Sequence, residues 1–221
     1  MNYNKEKIFN GREVANMKQE IIHRVFAHMP QLSTQRLILR RMRITDDVDM
    51  YDYARRAEVT RYLLWSPHPD RNYTREYLKY IATRYAAGTF YDWALELKEN
   101  GRMIGTCGFT AIDAPNECAE IGYVLNPDYH GRELAVEAVR EILAFGFDRL
   151  MLQRVEARFI RGNDASLRVM QKVGMTFEGF HRQSMLIKGV RRDIGYSSIL
   201  ADEYRQIMTR SASTNEREIK N

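Results

Sequence analysis

The chain has few of the residues that build cross-linked or metal-stabilised scaffolds. Its 221 residues include two cysteines, five prolines and five histidines. No Cys/His cluster has the spacing of a zinc site, so we expect no metal. Cys107 and Cys118 fall in neighbouring strand patterns of one predicted hairpin. In a cytoplasmic protein, two such residues are favoured as reduced thiols over a disulfide or a metal pair.

Long apolar runs are also missing. No stretch of about 18 apolar residues exists, which excludes a transmembrane helix. The first residues, M-N-Y-N-K-E-K, lack the apolar segment of a secretory signal and a glycine for myristoylation. We therefore predict a cytoplasmic protein without a membrane partner.

The charge pattern gives no indication of a nucleic-acid ligand. The net charge is +5, but basic residues are scattered among acidic ones. The densest basic groups, residues 36–43 and 189–193, lie in strand-like patterns, where a solvated face or a contact to an acidic ligand is favoured over a duplex-binding stripe. Nucleic acid is not expected as the primary ligand.

The chain divides into three predicted parts. Residues 1–31 form a helical extension, residues 32–205 a single domain, and residues 206–221 a polar C-terminal tail that is expected to fray. The extension has apolar residues at helical spacing. They are Val14, Met17, Ile21, Val25 and Met29, with Ile22 and Phe26 widening the stripe. This helix either packs on the domain or forms a dimer or partner contact.

The central part predicts a mixed α/β sheet with helices on both faces. Helices are expected at about 46–57, 74–87, 133–148 and 164–173. Strands are expected at 37–42, 90–98, 102–112, 117–125, 153–160, 177–187 and 191–200. Turns are predicted at Asn100-Gly101, at residues 114–116 and at Lys188-Gly189.

Two segments carry the chemistry. Residues 120–135 read E-I-G-Y-V-L-N-P-D-Y-H-G-R-E-L-A, a strand pattern joined by a turn to the start of a helix. Unsatisfied N–H groups and the positive end of the dipole at that start favour an anion such as phosphate. Residues 163–175 read N-D-A-S-L-R-V-M-Q-K-V-G-M, a helix capped by Asn163 and closed by Gly174.

Together these segments resemble the acyl-coenzyme A site of the GNAT superfamily of N-acetyltransferases, and most closely its RimJ/RimL branch. Supporting matches are R-L-I-L-R at 36–40, G-T-C-G-F at 105–109, K-V-G-M-T-F-E-G at 172–179 and R-D-I-G-Y-S at 192–197. The resemblance implies a largely antiparallel sheet with splayed middle strands. It also implies acetyl-CoA as co-substrate and a primary amine as acceptor.

The resemblance assigns the coenzyme to the strand and the turn. The implied coenzyme-binding residues are Tyr123, Val124, Leu125, His130, Gly131, Arg132, Glu133, Leu134, Ala135 and Asn163. Glu133 departs from the family pattern, which has glycine there, and His130 replaces the usual Gln or Arg. A carboxylate near pyrophosphate is repulsive, and a Cβ disfavours positive φ. A helical backbone would not require glycine, and the side chain could then point outward.

Two residues are candidates for catalysis. Glu120 could accept the proton of the attacking amine, although an ion pair with an arginine of a neighbouring strand is an equally ordinary role. The resemblance implies that Ser166 donates a hydrogen bond to the departing thiolate. Many relatives place a tyrosine acid four residues later, where this chain has Met170, which cannot donate a proton.

The acceptor is less defined than the coenzyme. Trp65, His68, Tyr85 and Tyr196 are candidates for the acceptor side, with core or rim positions as the alternative. The predicted activity is direct acetyl transfer to a primary amine, with a protein N-terminal α-amine favoured. The alternatives are a small-amine (antibiotic or metabolite) acetyltransferase and a non-catalytic acyl-CoA-binding module. A homodimer is compatible with the sequence.

Overall fold

One eight-stranded sheet organises the molecule. The structure, a computed structural model, describes the backbone of residues 16–219 and the side chains of residues 16–210. The strands are β1 Leu32–Ser33, β2 Leu37–Arg40, β3 Tyr91–Leu97, β4 Met103–Asp113, β5 Cys118–Leu125, β6 Arg154–Ile160, β7 Thr176–Ile187 and β8 Val190–Leu200. Their order is β1-β2-β3-β4-β5-β6-β8-β7. Only β5 and β6 pair in parallel, which confirms the predicted mixed, largely antiparallel sheet.

Five of the seven helices in the described part of the chain lie where periodicity and capping predict them, and residues 57–60 and 201–219 form two more that were not predicted. They are α1 (residues 16–27), α2 Asp47–Ala54, α3 Ala57–Thr60, α4 Arg71–Ala86, α5 Leu134–Ala144, α6 Asp164–Lys172 and α7 Ala201–Ile219. In α4, Asp70 caps the N-terminus by accepting a 2.8 Å hydrogen bond from the Tyr73 amide. Leu78, Ile81 and Tyr85 are buried at helical spacing. Helix α5 ends in a π turn, Phe145–Arg149.

Helix α1 is part of the core of the described structure. Ile22, Phe26 and Met29 are buried, whereas Met17 and Ile21 are 58% and 51% exposed. The predicted apolar stripe is therefore wrong at Met17 and Ile21. The buried face of the helix instead contains Ile22 and Phe26, which were predicted at the edge of that stripe. Val14 and the rest of residues 1–15 lie outside the described residues.

The middle of the sheet is splayed. Strands β5 and β6 pair from Cys118↔Arg154 to Ile121↔Ala157. Beyond these pairs β5 continues to Leu125 and β6 to Ile160, but the two strands no longer pair with each other. The two strands therefore diverge, which opens a gap beside residues 122–125 of β5.

The last segment differs from its prediction. Residues 206–219, expected as a fraying tail, continue α7 to Ile219. The helix begins directly after β8, and its first turn carries Asp202 and Glu203, which favour the dipole at a helix N-terminus. In the part of the chain that the structure describes, no helix has both the length and the apolar character needed to cross a membrane.

Candidate active site

A cavity of about 400 Å³ lies at the splay of β5 and β6. Residues from both alternating sets of β5 line it, including Glu120 and Gly122 from one set and Tyr123 from the other. This is possible because the diverging strands leave β5 open toward both sides. Five of the predicted site residues line this single cavity. They are Glu120, Tyr123, Val124, Asn163 and Ser166.

Aromatic side chains form the opposite wall. They come from α2, α4 and the loop between α3 and α4. They are Tyr53, Tyr62, Trp65, His68, Tyr73 and Tyr77. Trp65 and His68, two of the four candidates for the acceptor side, thus line this cavity.

The other two acceptor candidates do not line the cavity. Tyr85 is 3% exposed and accepts a hydrogen bond from the Met42 amide while donating to the Asp92 carbonyl at 2.6 Å. Of the two positions that the sequence left open for Tyr85, the core is therefore the one observed. Tyr196 packs on the His181 ring, with the ring centroids 4.2 Å apart.

The predicted anion turn lies between β5 and α5, outside the cavity lining. The His130 ring lies 3.1 Å from the Leu125 carbonyl, measured from Nε2. Gly131 takes a φ of +74°. Leu134 and Ala135 begin α5. The backbone N–H groups at the start of this helix have no partner within the helix, and they lie beside the predicted anion turn.

Glu133 adopts a left-handed backbone. Its φ of 60° and ψ of 13° make it the N-cap of α5. The expectation of a helical backbone at Glu133 is therefore wrong, because the chain reverses into α5 through this residue. The side chain does point outward: it is 54% exposed and its Oε1 lies 2.5 Å from Nζ of Lys172.

Two residues that the sequence reasoning missed brace this turn. Arg36, just before β2, donates from Nη1 to the Arg132 carbonyl at 2.8 Å and from Nε to Glu137 at 2.7 Å. Glu137 also accepts from the Arg36 amide and from the Thr34 hydroxyl. These bonds lower the pKa of Glu137 against the opposing effect of burial. The sequence shows a matching acid and base, but nothing in it pairs them across about a hundred residues.

Glu120 forms an ion pair with Arg158 of β6. Its side chain is 14% exposed, and Oε2 is the oxygen that faces the guanidinium. The ion pair with an arginine of a neighbouring strand, one of the two roles that the sequence left open for Glu120, is therefore observed. The position of Glu120 on the cavity wall is compatible with both roles.

The start of α6 brings a serine to a tyrosine. Asn163 accepts a 3.3 Å hydrogen bond from the Ser166 amide and so caps the helix. The Tyr123 hydroxyl lies 2.9 Å from both the carbonyl oxygen and Oγ of Ser166. A carbonyl only accepts, so when Tyr123 donates to it, Ser166 is the donor in the second contact. Burial raises the pKa of Tyr123, which keeps this hydroxyl protonated.

Asp92 is a further cavity residue that the sequence reasoning missed. It lies in β3 and lines the cavity, and burial raises the pKa of its carboxyl to about 7, against hydrogen bonds from Thr106 and the Trp93 amide. The only available signal was an acid inside an otherwise apolar strand pattern, Y-D-W-A-L. Among the described residues, no group of three or more His, Cys, Asp or Glu side chains could hold a metal ion.

Comparisons with known proteins agree with this geometry. Residues 36–176 match the Acetyltransferase (GNAT) domain. The chain is 34% identical to the uncharacterized N-acetyltransferase p20 of Bacillus licheniformis, over 80% of this chain and 99% of that protein. A crystal structure of a GNAT-family acetyltransferase from Bacillus anthracis has a TM-score of 0.70 at 25% identity, covering 78% of this chain and 99% of that one.

A second solved structure has the same fold and contains coenzyme A. RimL, described as a ribosomal L7/L12 alpha-N-protein acetyltransferase in complex with coenzyme A, has a TM-score of 0.67 at 20% identity, covering 79% of this chain and 99% of that one. The match to the domain family extends over more than half of this chain. The chain therefore belongs to the GNAT family of N-acetyltransferases.

Proposed function

We propose that this protein transfers the acetyl group of acetyl-CoA to the α-amine of a protein N-terminus. The observation that carries the proposal is the cavity at the splay, where the stretch of β5 that no longer pairs with β6 meets the start of α6. A thioester held there would face Glu120 and the aromatic wall on one side and Ser166 on the other. Donor and acceptor can therefore meet in one enclosed space, and proximity supplies much of the rate.

The residues around the splay fit coenzyme A. The free amides at the start of α5 suit its pyrophosphate, and Gly131 exposes the turn without a side chain. The backbone of Tyr123, Val124 and Leu125 has no partner on β6 and can pair with the pantetheine arm as a further strand. When bound, acetyl-CoA supplies an activated thioester.

The catalytic roles follow from the side chains on the two sides of that thioester. Glu120, with one oxygen on Arg158, offers the other to the incoming amine, which it orients and from which it accepts a proton directly or through a water. On the other side, Ser166 donates toward the departing thiolate. The Ser166 hydroxyl has one hydrogen, so when it donates to the thiolate Tyr123 turns its own hydrogen from the Ser166 carbonyl to Oγ of Ser166. Met170 offers no acid at this place.

A peptide acceptor is favoured by the rim of the cavity. Leu64 and Tyr73 line the cavity and are nevertheless 66% and 54% exposed. Large exposed apolar side chains at the mouth of a site suit an extended chain that continues out of the cavity. The name of the RimL neighbour, an alpha-N-protein acetyltransferase, supports the same choice.

The function is tested by acetyl transfer to a peptide panel. Purified protein is incubated with acetyl-CoA, and thiol release is followed while mass spectrometry locates the acetyl group. We expect acetylation of the α-amine, with Glu120→Gln lowering kcat by about 10²-fold because general-base catalysis contributes about that much. Transfer only to small amines would replace the peptide proposal. Full activity of Glu120→Gln would remove its assigned role.

Glu133→Gly is expected to strengthen coenzyme binding. Glycine adopts the left-handed conformation without the penalty of roughly 1 kcal/mol that other residues carry. This relief is shared by the free and the bound protein, so it raises stability and leaves the Kd unchanged. The change also removes a negative charge from the turn and releases Lys172. We expect a three- to tenfold lower Kd for coenzyme A by calorimetry. Glu133→Gln, which keeps the Cβ but removes the charge, separates the two contributions, and an unchanged Kd in both variants would contradict the expectation.

A further inference from the structure

Two buried polar atoms on the cavity wall have no hydrogen-bond partner among the described residues. They are Oδ1 of Asp92 and the hydroxyl of Tyr53, and both residues line the cavity. Tyr53 is only 1% exposed. Buried polar groups nearly always have partners, and an unpaired one is costly. Two such atoms on one cavity indicate that a ligand supplies the missing contacts.

The surroundings of Asp92 favour a cation. No positive charge contributes to its pKa, which burial raises to about 7. The titratable groups around it are Tyr53 of α2, Tyr77 and Tyr85 of α4, and Cys107 of β4. Burial raises the pKa of each of them, so all are neutral at pH 7. Among the described residues that line the cavity, the one guanidinium is that of Arg158, which is paired with Glu120. A cation entering the cavity would therefore supply the positive partner that Asp92 lacks.

The aromatic wall fits the same ligand. The faces of Trp, Tyr and Phe rings attract ammonium groups, most strongly in desolvated sites. Trp65 and Tyr77 line the cavity together with His68, and burial lowers the pKa of His68. The imidazole is therefore neutral near pH 7 and does not repel a cation.

The sheet register separates Asp92 from the splay. Asp92 pairs with Gly108 on β4, and Gly108 pairs with Gly122 on β5. The two glycines leave the sheet surface bare, and a Cβ at Gly108 would lie 2.9 Å from Oδ1 of Asp92. Adjacent strands lie about 4.8 Å apart, so the backbone of Asp92 is roughly 10 Å from Gly122. The Asp92 carboxyl thus lies over β4, one strand away from the thioester proposed on β5. A second group of the acceptor can reach it while the reacting amine stays beside β5.

We propose that Asp92 and Tyr53 form a subsite for a second cationic group of the acceptor, a primary ammonium that is distinct from the amine being acetylated. The proposal rests on the proposed function, because that function places the reacting amine beside β5. For a peptide acceptor, the matching group is the ε-ammonium of a lysine as first residue. The ammonium would donate to Asp92 and Tyr53 and lie against the aromatic wall.

The test compares two peptides that differ only in their first residue, lysine or norleucine. We expect the wild-type kcat/KM to favour lysine at least tenfold at pH 7.5. Asp92→Asn is expected to reduce this preference to within twofold, and Tyr53→Phe to weaken it about threefold. The preference of the wild type is expected to grow from pH 6 to pH 8, as Asp92 ionises. Asp202→Asn, on an exposed residue of α7, is the matched control and should keep the wild-type preference.

A binding measurement separates this proposal from the proposed function. Lysinamide and norleucinamide are titrated into the protein with coenzyme A present, and tryptophan fluorescence is followed because Trp65 lines the cavity. We expect lysinamide to bind at least tenfold tighter to the wild type, but not to Asp92→Asn. Absence of transfer to every peptide and amine would overturn the proposed function alone. Equal binding of both probes to the wild type, or an unchanged preference in Asp92→Asn, would overturn the subsite.

Discussion

Asp92→Asn is expected to stabilise the protein at pH 8 and to lose most of that gain by pH 5. In the unfolded chain this carboxyl titrates at the ordinary value of 3.8, whereas burial raises its folded-state pKa to about 7. Between these values the folded protein binds a proton that the unfolded chain has released. Stability therefore falls as the pH rises from about 4 to 7 and stays at its minimum above 7. Asparagine has no charge to bury, so the variant escapes this loss.

The expected effect is large for one side chain. Each unit of pKa difference corresponds to about 1.4 kcal/mol, and the interval from pH 5 to pH 7 covers about two units. We expect the difference in free energy of unfolding between the variant and the wild type to grow by about 2 to 3 kcal/mol from pH 5 to pH 8. Urea unfolding at both pH values measures it.

The pH dependence of this difference is the decisive quantity. A lost hydrogen bond with Thr106 would shift the stability of Asp92→Asn equally at all pH values. The other titrating groups cancel, because both proteins share them. A difference that stays constant between pH 5 and pH 8 would show that Asp92 does not titrate in this range.

A buried carboxyl at position 92 lowers the stability of the fold at neutral pH. A role in the cavity would explain why such a residue is present. Most changes that stabilise a protein at a functional site also reduce its function. Tyr53→Phe would remove an unpaired buried hydroxyl, and Asp92→Asn would remove a buried charge while keeping an acceptor for Thr106. Stability alone does not account for these two residues, and the proposed ammonium ligand does.

The sequence predicts the strand, turn and helix of the proposed coenzyme side well because their signals are local. A strand of period two, the proline at 127, and an amphipathic helix follow one another within about thirty residues. Strand β5 is observed at Cys118–Leu125 and helix α5 at Leu134–Ala144, close to their predicted bounds. Asn163 and Ser166 are placed equally well, because capping depends on neighbours along the chain.

The acceptor half depends on contacts between distant segments, which local patterns do not encode. Asp92 meets the site only through its pairing with Gly108 and Gly122, and a one-residue change of register would turn its side chain to the other face. Glu120 meets Arg158 in the same way, between the neighbouring strands β5 and β6. The left-handed backbone of Glu133 was missed for another reason: the local sequence favours the start of a helix there, but the reversal of the chain before α5 decides its conformation.

Phe26→Ala is expected to destabilise the protein by about 3 to 5 kcal/mol, the range for removing a fully buried aromatic side chain. Phe26 lies in α1 and is 0% exposed. Its ring makes edge-to-face contacts with Tyr91, Trp93 and Phe145 at centroid distances of 4.6, 5.6 and 6.1 Å. Removing it would leave a cavity between α1, β3 and the end of α5.

The N-terminal helix could instead serve mainly as a contact for a partner or a second copy, and the same helix provides the control. Met17, on its other face, is 58% exposed, so Met17→Ala should change the free energy of unfolding by less than about 0.5 kcal/mol. Urea unfolding of both variants compares the two faces directly. A cost below about 1 kcal/mol for Phe26→Ala would mean that α1 detaches without disturbing the domain. The expected cost makes α1 part of the folding unit that supports β3, and therefore of the scaffold that holds Asp92 at the cavity.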